Sequence, residues 1–561
     1  MLESGDAKRT AREIPATLHD SLMARLDRLG PAKEVAQIAA VIGREFSYEL
    51  LHAVYPILEA ELESALRKLT DAELLYVRGI APDATYQFKH ALIRDAAYEA
   101  LLKSRRKDLH LLVARTIVEK FPAIKEAHPE VLARHWTEAG ETEPAIGAWT
   151  TAGEAAQARN AFSEAMESYR RALALINLLP ESSERDHREL ELMQSLVVTL
   201  NLTSGYAAPE TIEAIERAVA LAEKTGNLAE VVNWMMSRCL TVVFSGDFPA
   251  AIKLADQALE LALREGRPAT LASVHTIQIM AHFQLGDLAG VEKHFKSGLP
   301  FFNDPSFKQR PTSGFIPAFA TGSWNAWTLG RADVARERMI AAEKCNSPYD
   351  VAHSRYHAAC LHLYIREYEQ AEALAACALE LGEKHEFPQI AAQSRCALGH
   401  ARAALGRSTA GIDLIRQGIA GLLEVGSRSR IGYRTASLAA ALAGEGALDE
   451  ALETAEQALR ANPHELVSRP ETLALRGELR LQQGKTELAD ADFREAIALA
   501  QSMGAKSWEL RATMSLARLL DKTGRRQQAR TMLAEIYNWF TEGFDTADLK
   551  DAKALLDKLG N

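Results

Sequence analysis

The chain has 561 residues, 47% hydrophobic and 25% charged, which excludes a disordered polypeptide and leaves room for several domains or one long repeat array. Its formal net charge is −10; residues 1–120 are balanced and residues 121–561 carry 47 Lys+Arg against 57 Asp+Glu, so neither portion has the basic excess that displaces counterions from nucleic acid. No apolar run reaches the roughly 18 residues a membrane span needs, and the start, MLESGDAKRT, lacks the apolar centre of a secretory signal, so the sequence reads as cytoplasmic.

The first predicted element is IPATLHDSLMARLDRLG, residues 14–30, where Leu18, Leu22, Leu26 and Leu29 recur at helical spacing and Gly30–Pro31 stops the run. Three helices with short breaks follow: AKEVAQIAAVIG (32–43), SYELLHAVY (47–55) and LEAELESALRKLTDAELL (58–75). LLYVRGIAPDATYQFKH (74–90) alternates on both sides of a Pro-Asp turn, the pattern of a β-hairpin, and ALIRDAAYEALL (91–102) adds another helix. The basic cluster KSRRK (103–107) reads as a solvated connection after that helix. Helices followed by a β-wing and a helix suggest a small winged-helix domain over 14–121.

From about residue 128 the sequence is nearly all amphipathic helix, and a repeat is visible within it. A glycine followed five residues later by a small residue recurs at Gly246/Ala251, Gly286/Val291, Gly330/Ala335, Gly406/Gly411, Gly446/Ala451, Gly484/Ala489 and Gly524/Ala529, with Arg366/Ala371 filling the gap. The steps of 36–44 residues suit two helices and two turns per unit. Glycine ends the first helix because it accepts left-handed dihedrals, and the small residue lets the second helix pack closely against the first. Such small-residue pairs are tetratricopeptide-like. Earlier units are less regular, with Gly140/Ala145 and Asn160/Ala165 close together, and about ten helical pairs are expected over 128–540.

Residues 295–327 break the rhythm with four prolines and eight Phe or Trp residues. Pro300, Pro305 and Pro311 predict a loop here, and the aromatic cluster either fills a gap in the stacking or lines a ligand pocket. Five cysteines, Cys239, Cys345, Cys360, Cys377 and Cys396, show no paired spacing, and buried reduced thiols are expected. At the far end TADLKDAKALLDKL (546–559) places Leu549, Ala552, Leu555, Leu556 and Leu559 on one face, a helix suited to cap the last repeat within 541–561. The fold class is therefore all-α, a small winged-helix domain with one β-hairpin followed by a long α-solenoid.

The stretches IPATLHDSLMARLDRLG, AAVIGREFSYELL and YQFKHALIRDAAYEALL resemble the winged-helix segment of large bacterial signalling proteins that join a class III adenylate or guanylate cyclase domain, a STAND-type ATPase and tetratricopeptide repeats. GAKSWELRATMSLARLLDKTGRRQQAR and IYNWFTEGFDTADLKDAKALL resemble that family's last repeats and terminal helix. The resemblance implies a nucleotide-binding core ahead of the winged helix, and MLESG within residues 1–13 is similar to the end of that core. No G-x-x-x-x-G-K-[ST] segment and no stretch for a cyclase's metal-binding carboxylates is present, so a truncated gene or an internal start is expected, with ATP or ADP bound only by full-length relatives and no cofactor in this chain. The same resemblance implies that His90 stands where the family's winged-helix His reaches the β-phosphate of ADP, with Ala91 where an Asp is usual.

The expected function is a non-catalytic regulatory and interaction module, with a protein or peptide partner on the concave solenoid face, a small-molecule inducer as a second candidate, and neither nucleic acid nor membrane. An alternative is a STAND-type transcription regulator of the maltose-activator kind without its DNA-binding domain. No H-E-x-x-H, G-x-S-x-G or metal-ligand spacing supports an enzyme; His353 and His357 lie four apart on a predicted helix but without a nearby acid. Arg355, Arg395, Arg434 and Arg476 fall at similar places in successive first helices; they are expected to pair with acids of neighbouring helices, and the alternative is an exposed ladder for an acidic peptide or a phosphate-bearing ligand.

Overall fold

A computed structural model describes residues 16–308, 314–342 and 347–560. Residues 1–13, Pro311 and Cys345 lie outside the described residues. The chain divides into two compact units, Met1–Leu192 and Met193–Asn561.

The first unit begins with α1 (Ala16–Asp27), α2 (Ala32–Ile42), β1 (Glu45–Ser47), α3 (Tyr48–Val54), α4 (Glu59–Asp71), β2 (Leu75–Arg78), β3 (Thr85–Phe88), α5 (Ala91–Glu99) and α6 (Lys103–Lys120). The hairpin expected from the alternating pattern is present, and a third strand joins it: the antiparallel order is β1-β3-β2, with Phe46 opposite Tyr86 and Tyr76 opposite Gln87. β1 is only three residues long, too short for its alternation to show in sequence. Burial alternates along β3, whose Tyr86 and Phe88 turn inward onto Phe46, whereas Tyr76 and Val77 of β2 stay exposed. Ser47 ends β1 and starts α3 by accepting a hydrogen bond from the Leu50 amide at 3.1 Å. KSRRK is not a connection but the exposed first turn of α6, continuous with the buried stripe Leu109, Val113, Ala114 and Ile117. Helices Pro122–Ala127, Pro129–Ala139, Thr142–Ala158 and Phe162–Ile176 follow, and the helix Ser183–Thr203 begins within this unit.

The second unit is a run of helical hairpins. Their first helices include Leu228–Ser245, Pro268–Gln284, Phe315–Thr328, Pro348–Tyr364, Pro388–Ala404, Ile431–Gly444, Arg469–Gln482 and Lys506–Lys522. Each is followed by a second helix, and Ala547–Gly560 ends the series with Leu549, Ala552, Leu555 and Leu559 buried. Every glycine of the repeat register has positive φ, from 74° at Gly286 to 89° at Gly246, and Arg366 takes the same conformation at φ 65°. The small residues five positions on are sealed: Ala251, Val291, Ala335, Ala371, Ala451, Ala489 and Ala529 are all fully buried.

Two sequence expectations are corrected here. Pro300 does not interrupt the chain, because it falls in the last turn of the helix Leu288–Phe302, where the missing amide removes a single hydrogen bond; Pro305 then opens the short helix Pro305–Lys308. Cys239, Cys360 and Cys396 are buried as free thiols, but Cys377 is exposed on the outer face of Tyr368–Lys384.

The repeat period does not reveal that the second unit closes on itself. The turn after one first helix receives the loop ahead of another first helix much further along the chain. Phe244 O accepts from the Arg428 and Ser429 amides at 2.8 and 3.1 Å, and Gln284 O accepts from Leu466 N at 2.8 Å. Trp327 O accepts from Ser507 Oγ at 2.5 Å, a contact 180 residues apart in sequence. Successive turns of the superhelix are thus hydrogen-bonded, and the first helices face inward across a narrow axis. Gly330 shows what this asks of a turn: a Cβ there would sit 2.7 Å from the Trp539 ring, whereas Gly446 in the last turns has open space around it.

Candidate functional site

Because first helices face the axis, their inward positions decide what fills it. At one level the axis is plugged by aromatic rings: Trp327 stacks on Tyr364 with ring centres 4.8 Å apart, Trp508 meets Trp327 edge-on at 4.7 Å, and Tyr433 lies edge-on to Tyr364 at 5.9 Å. Ahead of this plug lies a cavity of about 180 Å³, wholly within the second unit. Its apolar wall includes Leu240, Phe244, Ile277, Met280, Phe307, Pro317 and Trp324. Its polar wall includes Asn201, Gln284, His353, His357, Gln393, Arg430 and Arg434. The aromatic segment therefore does both things expected of it: Phe295, Phe302, Phe315 and Phe319 pack ring to ring as filling, while Phe307 and Trp324 face the cavity.

Two pairs of residues spaced by four line the cavity: His353 and His357 on successive turns of Pro348–Tyr364, and Arg430 just ahead of the helix that carries Arg434. Arg430 precedes the helix Ile431–Gly444 with φ 59°, a left-handed setting rare for a long side chain. Its guanidinium carbon lies 4.5 Å from the Trp324 ring centre and 4.6 Å from that of Tyr433. Nη2 donates to Tyr364 Oη at 2.6 Å, and Nη1 is buried with no hydrogen-bond partner among the described residues. Arg434 donates to Ser429 O at 2.6 Å and to Tyr356 Oη at 3.0 Å. Both arginines are about 95% buried, and neither has a carboxylate within 4.0 Å among the described residues.

His353 and His357 form the second pair, their Nε2 atoms 2.9 Å apart, so one ring donates and the other accepts. Burial pushes His353 down to about 4 and holds His357 well below the usual range, and both are neutral at pH 7. Among the described residues no group of three or more His, Cys, Asp or Glu side chains could hold a metal, and the two imidazoles bond each other instead. Unpartnered buried atoms gather around the cavity: Asn201 Oδ1, Gln284 Oε1 and His357 Nδ1, besides Arg430 Nη1. Two buried carboxyls feel these charges without pairing to them: Arg430 and Arg434 both attract Glu465, and Arg430 attracts Glu471. Glu465 accepts from the Gly432 and Tyr433 amides at 3.3 and 2.9 Å, and Glu471, pushed up to about 7 by burial, pairs with Arg511 at 3.3 Å.

The four arginines of the candidate ladder do not share one groove. Arg395 pairs with Glu383 on the neighbouring helix at 2.7 Å, Arg476 pairs with Asp492 at 2.6 Å, and Arg355 is half-buried away from the cavity wall. Only Arg434 lines the cavity, because the tight superhelix turns that row into an interior. Arg430 escapes sequence reading since it stands in the loop SRSR; its spacing of four from Arg434 was the available signal. In the first unit His90 occupies the position just before α5, exposed, with no capping bond from its side chain.

No protein-family model matches the chain. It is 25% identical over 511 residues to an uncharacterized protein of Rhizobium meliloti (strain 1021), a match covering 89% of this chain and 50% of that protein, so the chain spans about half the length of that relative. Among solved structures, the Cut9–Hcn1 hetero-tetramer of the APC/C covers 97% of this chain and 95% of its own at 12% identity and TM-score 0.48. A Rap protein complexed with competence and sporulation factor covers 65% and 98% at 14% identity and TM-score 0.45. A STAND protein with a tetratricopeptide repeat sensor from Pyrococcus horikoshii covers 98% and 67% at 12% identity and TM-score 0.31. These are loose likenesses, and the assignment rests on the hairpins themselves. The chain carries a tetratricopeptide-like helical repeat array. No helix of the described residues is long and apolar enough to cross a membrane.

Proposed function

We propose that the chain is the regulatory portion of a nucleotide-regulated signalling protein, in which the repeat array reads a ligand in its axial cavity and the front unit passes that state to an ATPase core. The observation that carries this reading is the cavity: an array that only scaffolds partners gains nothing from burying two unpaired cations and several unpartnered polar atoms along its axis. A domain division into winged helix over 14–121, repeats over 128–540 and a terminal cap over 541–561 goes with this proposal; the β1-β3-β2 sheet flanked by α4 and α5 supports the wing. The relative's double length supports a further portion beyond this chain, and the exposed His90 beside the wing is the residue proposed to meet its nucleotide. A protein or peptide partner would contact the array from outside, since its concave face is internal.

By calorimetry the chain alone should bind no ATP, lacking a phosphate-cradling loop. Fused to the part of the Rhizobium relative that it does not match, it should support nucleotide hydrolysis, and His90→Ala should raise the basal rate by removing a contact to bound product. ATP binding by the isolated chain, a fusion without hydrolysis, or a fusion indifferent to His90 overturns the nucleotide-regulated reading.

A further inference from the structure

An ionised side chain buried without a counter-charge is expensive, and proteins avoid it by pairing, by neutralising the group or by binding an ion of opposite sign. Arginine cannot neutralise itself. Elsewhere along the same axis the rule is followed: Arg511 pairs with Glu471 and Asp548, and Arg476 and Arg480 share Asp492. Arg430 and Arg434 are the exception: Glu465 attracts both, but its oxygens are taken by the Gly432 and Tyr433 amides and it forms no ion pair with either arginine. They stand four residues apart on one wall, their bonds go to neutral phenols and a backbone carbonyl, and one guanidinium nitrogen has no partner. Stacking on Trp324 and Tyr433 orients the Arg430 plane without cancelling its charge. The facing imidazoles are neutral, so they add no competing cation and offer polar atoms to a ligand.

Resting on the reading of the cavity as the sensory site, we propose that its ligand is a small organic acid, its carboxylate held by Arg430 and Arg434 and its apolar body against Trp324, Met280 and Leu240. The apolar wall selects an organic body over a bare oxyanion, and guanidinium selects carboxylate by charge-assisted hydrogen bonding. The cavity volume suits a molecule of a few carbons to one ring, not a folded partner.

The test is a set of matched pairs: phenylacetate, phenylbutyrate and hexanoate, each beside its primary amide, with inorganic phosphate as a further arm, all titrated into the full chain by calorimetry and thermal melting. At least one acid should raise the melting temperature while its amide does not, and Arg430→Gln or Arg434→Gln should weaken that acid at least tenfold. Arg355→Gln, off the cavity wall, should leave it unchanged. Should either glutamine variant fail to fold, the acid–amide comparison on the unaltered protein decides alone. Equal binding of acid and amide overturns the anion while leaving the cavity a sensory site; binding by none overturns both. Phosphate matching the best acid overturns the organic body, and undiminished binding in both glutamine variants overturns the arginine assignment.

Discussion

Acidifying the protein from pH 7 to about pH 5 should lower its melting temperature steeply, with the transition losing stability well above the carboxylate range. The cause is a set of imidazoles that fold neutral. Burial, aided by nearby arginines, pushes His110 in the first unit down to about 4, and burial, aided by the neighbouring His282 and His275 rings, does the same to His294 in the second. His353 on the cavity wall is also held at about 4 by burial. The folded values lie below the unfolded value of about 6.5, so the unfolded chain takes up protons first as pH falls. The stability these groups supply is fully present above 6.5 and is lost progressively toward 4. By about pH 5 each should have surrendered about 1–2 kcal/mol. Melting curves at intermediate pH values check this, and His294→Phe should remove part of the slope. A melting temperature that stays flat over this range would show that these rings are protonated in the folded protein.

Gly411→Val should be among the most damaging single substitutions in the array. The helices Pro388–Ala404 and Ser408–Glu424 approach so closely that a Cβ on Gly411 would lie 2.6 Å from Gly399 O and 2.9 Å from the Ala403 side chain, with the reciprocal Cβ on Gly399 at 2.6 Å from Gly411 O. Both obstacles include backbone, which cannot rotate away. Overpacking of this kind costs typically about 1–3 kcal/mol, and with main chain on both sides about 3 kcal/mol or more is expected. Urea denaturation provides the measure. Gly147→Ala, inside a helix with nothing within 4 Å, is the control and should leave stability unchanged or raise it slightly. If Gly411→Val matches that control, the two helices are further apart than described.

What was legible in the sequence is what is local. The helices and hairpin of the first unit follow from periodicity, and the glycine register marks the turns because left-handed backbone leaves a compositional trace; even Arg366 was found, by its place in the period. The three-residue β1 left no such trace, and Pro300 was misread because its position within the last helical turn matters more than its presence. The superhelical closure could not be read at all. Phe244 with Arg428, and Trp327 with Ser507, are joined across many repeats by backbone groups that every residue possesses. That closure converts a row of helix-borne arginines from a groove into an interior. Arg395 and Arg476 pair with acids of adjacent helices, 12 and 16 residues away, whereas Arg430 and Arg434 face a cavity that the closure encloses. Half of the site was therefore visible as Arg434, His353 and His357, and its meaning depended on contacts that sequence periodicity does not encode.

The most direct measurement is a crystal structure of the protein grown in bromide, with anomalous scattering used to locate the anion. Two buried guanidinium groups without an ion-paired carboxylate among the described residues should draw bromide into the axial cavity, giving a peak within hydrogen-bonding distance of Arg430 Nη1 and close to Arg434. Bromide confined to the outer surface, with Arg430 and Arg434 turned onto Glu465 or another acid of the array, would contradict the claim that this cavity is built for an anion.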